Sequence, residues 1–470
     1  NNSYDKCGSH AEAVWRPTDS FLVDYSFDIA NDETTPYYVQ LLAKGSLALA
    51  PLIQLQPERV DQANIGAPLR PSVGNTYGHR LNLEWDATEW LTVKSINAFR
   101  RLSQSQYDNA QVLSVFAPNG AFSRYSLANT YQEQFSSELQ FIGELPSLKF
   151  VGGALYYREK ARDNAQSPNT LQWNATGTAY TFLSINTDLV PLDRASHVET
   201  DSIGAFGQAT WTPPMLGGIT HLTLGGRYTH DQKKGSLDVV NGAIPSYVNS
   251  AGQTIRGVIP LDDSWSRFDP LVILAVDVAP TINVYGKWSS GYRSGGANSR
   301  SLTYRSFAPE TVSMFEVGAK TEFWDNRARF NIAAYTGKMK DIQVDFSVLV
   351  VGNNRTTLET TNAAEARTKG FEAELTLAPV DGLTLTGSYA YTKVSETTAF
   401  NPFTNAQSVV RPLYTPRNSG SVSADYERPL SFGTLRAHID ANFADGHYTN
   451  TSDPTLSDNS FITNARLAIS

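Results

Sequence analysis

Residues 281–346 read TINVYGKWSSGYRSGGANSRSLTYRSFAPETVSMFEVGAKTEFWDNRARFNIAAYTGKMKDIQVDF, two β-hairpins in which oily and charged side chains take turns. Successive side chains of a strand point to opposite faces, so Ile282, Val284 and Trp288 share one face while Asn283, Lys287 and Arg293 share the other. Such a strand separates two media. It is a wall with lipid on one side and water on the other.

The same alternation recurs on either side of this stretch. Leu222, Leu224 and Tyr228 oppose Thr223, Gly225 and Arg227, and Phe315, Val317, Ala319 and Phe323 oppose Glu316, Gly318, Lys320 and Glu322. Phe371, Ala373, Leu375 and Leu377 oppose Glu372, Glu374 and Thr376. The polar sets would line a wet lumen. Strands of soluble sandwiches alternate too, but they average about five or six residues, whereas many here run past about ten, the length of a tilted bilayer crossing. About seventeen strands are expected, among them 8–16, 129–142, 356–379 and 460–470.

Connections between these strands alternate in length. Short turns at 17–19, 86–88, 144–146, 213–218, 325–326 and 380–382 alternate with long segments at 32–74, 108–128, 161–196, 236–263, 294–309 and 398–416. Barrels of the bacterial outer membrane keep short turns in the periplasm and long loops outside, which places Asp325 inside and Arg300 outside. Trp15, Trp85, Trp90, Trp211 and Trp324 all lie beside short turns, as an aromatic girdle at a lipid–water interface would. Trp173, Trp265 and Trp288 lie elsewhere.

Composition narrows the function. The chain is 41% hydrophobic, yet no apolar run approaches the roughly 18 residues of a transmembrane helix. Tyr and Phe at 22 each, with 33 glycines, suit strands and turns. A net charge of −8 without a basic cluster interleaved with aromatics excludes nucleic acid as a partner. The single cysteine, Cys7, offers neither a disulfide framework nor a thiolate metal site. The histidines show no metal-site spacing, and no motif for a nucleophile, phosphate loop or dinucleotide is present, so neither enzyme activity nor a cofactor is expected. Glu372 and Glu374 mimic a catalytic pair, but same-face neighbours on a polar strand are wall until burial or a charged partner perturbs them. A phospholipase or protease whose groups come from separate strands would leave no local motif, and nothing in the spacing suggests one.

The long loops carry aromatics and arginines suited to stacking on a planar ligand and pairing with its anionic oxygens. The candidates are Trp173, Tyr180, Arg293, Arg300, Tyr304, Arg305, Arg411 and Tyr414. Candidates for the lumen lining are Arg227, Lys287, Glu316, Lys320, Glu322, Glu372 and Glu374.

Taken together, the strands resemble the barrel region of TonB-dependent outer-membrane receptors. The family's G-[FY]-R-S-G-G element, its F-x-P-E-x-x-x-x-x-E-x-G-x-K run and its D-N-R hairpin match Gly291–Gly296, Phe307–Lys320 and Asp325–Arg327. VWRPTDSFLVDYSFD at 14–28, THLTLGGRYTHDQKKG at 220–235 and KGFEAELTLAPVDGLTLTGSYAYT at 369–392 look like its barrel hairpins. The resemblance implies an all-β, transmembrane, antiparallel up-and-down barrel of about 22 strands, closed by an N-terminal plug that TonB contacts. Seventeen strands would make residues 1–470 an incomplete segment of that barrel, without the plug and the last strands. It further implies an outer-membrane importer of a scarce nutrient such as a ferric siderophore, haem, cobalamin or a glycan, working as a monomer in outer-membrane lipid. The alternative is a passive, porin-like channel.

Overall fold

The computed structural model describes residues 4–35, 58, 71–108, 126–166, 171–173, 180–182, 192–248, 251–350, 355–401, 405–451 and 454–470. Nearly all of them belong to one 17-stranded sheet. Its first nine strands are β1 (Tyr4–Thr18), β2 (Phe21–Thr34), β3 (Ser72–Thr88), β4 (Leu91–Asp108), β5 (Ser126–Leu145), β6 (Leu148–Gln166), β7 (Arg194–Trp211), β8 (Thr220–Val240) and β9 (Ile259–Ala279). The others are β10 (Ile282–Arg293), β11 (Glu310–Phe323), β12 (Ala328–Val350), β13 (Arg355–Val380), β14 (Leu383–Val394), β15 (Asn418–Leu430), β16 (Gly433–Ala444) and β17 (Ser460–Ile469).

Every strand pairs antiparallel with its neighbours in sequence. The cause is local, because a turn of two residues can join only adjacent antiparallel strands. At Asp381–Gly382 the turn needs the left-handed conformation, with Gly382 at φ +83°, and a Cβ there would run into the Glu427 carbonyl. Among the described residues, β1 and β17 are paired on one side only, so the sheet curls without closing. No described helix is long and apolar enough to cross a membrane, which says nothing of crossing by strands.

The alternating connections hold, with one difference. The outer link between β12 and β13 is only residues 351–354, because the ladder itself continues to Val350↔Arg355 instead of giving way to a loop. At the opposite rim Trp15, Trp85, Trp90, Trp211 and Trp324 are between 43% and 63% exposed beside the short turns. An indole ring left this open is stable where hydrocarbon meets headgroups.

Among the described residues, two packed hydrophobic clusters lie near the outer ends of the strands. Leu237, Ile259, Leu261 and Tyr304 form one buried cluster, and Val344, Phe346, Ala364 and Ala399 another. Short hairpins fill the same region, pairing Ser246–Val248 with Thr254–Arg256 and Thr397–Asn401 with Ala406–Val410. In mid-wall the large apolar side chains are instead exposed. Leu224, Val272, Trp288 and Phe315 follow one another across β8, β9, β10 and β11, each at least 37% open. A continuous apolar row facing outward is the opposite of a water-soluble sheet, and it is the surface a bilayer would cover.

Candidate functional site

Residues 294–309, between β10 and β11, fold back over the sheet as an arch. At one foot the Ser299 hydroxyl donates to Asp163 of β6 at 3.2 Å. At the other, the buried Glu359 carboxylate of β13 accepts from the Ser301 hydroxyl (2.6 Å), the Leu302 amide (3.1 Å) and the Thr303 hydroxyl (3.0 Å). Asn362 holds the Ala308 amide and carbonyl, and Gln343 donates to the Ser294 and Ala308 carbonyls. A segment tied at once to β6 and β13 must cross the concave side of the curved wall, so the face beneath the arch is the inner one. Gly295 explains part of the local sequence, since a Cβ there would collide with the Trp265 ring and the Phe307 carbonyl.

The inner face is polar along its length. Arg227 donates to Thr229 at 3.0 Å and lies 6.0 Å from the Phe206 ring centroid, and Arg267 pairs with Asp269 at 2.7 Å. Tyr292 donates to Asp231. Lys287 lies 3.6 Å from Glu316, which also accepts from the Tyr285 hydroxyl at 2.9 Å. Below them the register puts Lys320, Asn331 and Glu374 in one row and Glu322 opposite Arg329, with Glu372 across from Ala333. Half-exposed pairs of this kind add little stability. Their effect is a wet, mixed-charge wall. Among the described residues no group of three or more His, Cys, Asp or Glu converges to hold a metal ion.

The loop candidates fall into three places. Arg293, Arg300, Tyr304 and Arg305 belong to the arch and its stem. Arg293 pairs with Glu310 at 3.1 Å, the Arg300 carbonyl accepts from the Leu358 amide at 3.3 Å, and Arg305 is exposed. Tyr304 corrects the sequence reading, which sets its ring toward a ligand. The ring is 4% exposed and packs with Leu237, Ile259 and Leu261, and burial pushes its hydroxyl pKa up to about 12. Arg411 and Tyr414 lie apart from the arch, with the Arg411 guanidinium 5.5 Å from the Tyr448 centroid and Tyr414 69% exposed near His447. They flank a cavity of about 650 Å³ lined by Ile342, Val344, Phe346, Val410, Arg411 and Leu413. Trp173 and Tyr180 are backbone partners in a short hairpin, and their side chains lie outside the described residues.

Sequence reading missed Glu359, Asp163 and Trp265 as parts of this site. The one local signal is that Glu359 is a lone carboxylate within the otherwise neutral run 356–364.

An open antiparallel wall with an apolar exterior, a charged interior and a loop tied across its mouth defines an outer-membrane barrel protein. The family described as TonB dependent receptor-like, beta-barrel matches residues 14–469, and the chain belongs to it. The metal-pseudopaline receptor CntO of Pseudomonas aeruginosa is 26% identical over 158 residues, 34% of this chain and 20% of that protein. The ferric yersiniabactin uptake receptor FyuA of Yersinia pestis superposes with a TM-score of 0.73 at 15% identity, over 99% of this chain and 63% of FyuA. The ferric preacinetobactin receptor BauA of Acinetobacter baumannii gives 0.65 at 15% identity, over 98% and 64%. At such identities the likeness is one of fold, and the chain spans under two thirds of those receptors' length.

Proposed function

We propose that these residues form the wall and outer loops of an active importer in the bacterial outer membrane, taking up a scarce nutrient of the metal-chelate type. The observation that carries this reading is the arch: a polar interior whose outer mouth is crossed by a fixed segment bearing Arg300 and Arg305. Cationic groups there would meet an anionic chelate, and the charged wall below would pass it on without burying it. Family membership supports import, and the names of CntO, FyuA and BauA support chelated metal as the cargo class. Energised passage would use a plug contacted by TonB, and no bond in the cargo need be made or broken.

Growth of the intact bacterium under iron limitation tests the reading. Deleting the gene, or the substitution R300A/R305A, is expected to lower uptake of radiolabelled ferric chelate at least severalfold, and an unchanged uptake in the deletion overturns it. A passive channel narrowed by the arch is the second reading, and uptake that survives loss of TonB would favour it.

A further inference from the structure

Charges on the outer face follow two different patterns. Across β4 to β9 one direct row reads Arg101, Glu133, Lys160, Glu199, Lys234 and Asp262, every neighbour opposite in sign. That row neutralises itself, with pairs such as Arg101–Glu133 at 3.7 Å and Lys160–Glu199 at 3.8 Å. Across β12 to β14 the register does the reverse. Lys338 faces Arg367, and Lys369 faces Lys393. Like charges placed directly opposite destabilise a sheet, and here it happens twice side by side. Lys340 adds a fifth cation on the same face, against a single acid, Glu365, which lies 2.8 Å from Lys338. Glu365 also attracts Lys340 and Arg367 through space, so one carboxylate is shared among three cations, and among the described residues none of Lys340, Arg367, Lys369 and Lys393 closes a salt bridge of its own.

The height of the patch is informative. Phe315, Val317, Phe371 and Tyr391 lie directly below it on the same face, and Trp324 marks the opposite rim. From Val380 up to Lys369 is about eleven residues, what a tilted strand needs to cross a bilayer. The cations therefore stand where the apolar band ends and headgroups begin.

We propose that Lys338, Lys340, Arg367, Lys369 and Lys393 form a docking surface for the phosphate headgroups of anionic outer-leaflet lipids. This rests on the outer-membrane reading above. The phosphates sit between the opposed cations and convert two repulsive pairs into bridged ones, which fixes lipids against one side of the barrel.

The test inserts the intact protein, as the bacterium makes it, into vesicles of phosphatidylcholine, with and without phosphatidic acid, extracts it into neutral detergent, and counts the lipids retained by native mass spectrometry. Phosphatidic acid should be retained in roughly tenfold preference, falling as salt is added. K338Q/R367Q/K369Q/K393Q should abolish the preference, whereas R101Q/K160Q/K234Q, on the alternating row, should keep it. Insertion without preference, a preference indifferent to salt, or one that survives the quadruple substitution overturns the headgroup site alone. Displacement by inorganic phosphate would overturn the lipid assignment. Failure to insert at all would instead sink the membrane reading, and with it this proposal.

Discussion

Val317 shows how much a single position reports. It stands on the apolar face between Gly286 and Ala334, 45% exposed, while its neighbours Glu316 and Gly318 face the polar side. Replacing it with Arg should cost roughly 2–4 kcal/mol if it lies at the bilayer midplane, whereas Lys320→Gln on the wet side should stay within about 0.5 kcal/mol. Urea unfolding of the two variants in vesicles checks both, and equal costs would mean that the two faces are misread. Parity along the chain made this contrast legible in advance, because side-chain direction in a strand is set by position alone. Tyr304 was illegible for the complementary reason. Its burial depends on Leu237, Ile259 and Leu261, which reach it only once β8, β9 and the arch are assembled.

At the level of elements, seventeen strands and their short turns were visible because each rests on a local pattern. The arch was not. Its Gly-rich stem could be read, but its feet at Asp163 and Glu359 lie 136 and 58 residues away from Ser299 and Ser301, and no local pattern announces a contact of that reach. Glu359, 5% exposed, is its main anchor. Glu359→Ala strands three donors and should loosen the arch by about 1–3 kcal/mol. Trypsin should then cut after Arg300 and Arg305 about tenfold faster than in the parent, with the strand content by circular dichroism unchanged. Equal cleavage rates would show that the arch is held by its apolar contacts instead.

For the molecule as a whole, the two end strands decide behaviour. β1 is exposed along its entire length and β17 along nearly all of it, each with one unpaired edge. Backbone groups left unpaired in hydrocarbon cost several kcal/mol each, so these 470 residues by themselves should not give uniform conductance steps in a planar bilayer. Steady unitary currents would mean that the two edges find each other. The overall plan was legible from the alternation of short and long connections. The long β13 was legible as well, expected at 356–379 and observed at Arg355–Val380; what the alternation of connections did not show is that the β12–β13 hydrogen bonds run on until only residues 351–354 remain as the outer link. Above Lys340 that ladder continues for about ten residues, or roughly 30 Å of strand. It is a mast beside the pore, tall enough to stand clear of the lipid phosphates even when tilted. An antibody or a phage tail fibre that grips this ladder would hold the very strands on which Gln343, Glu359 and Asn362 anchor the arch, so a contact made well outside the membrane would bear on the mouth of the pore.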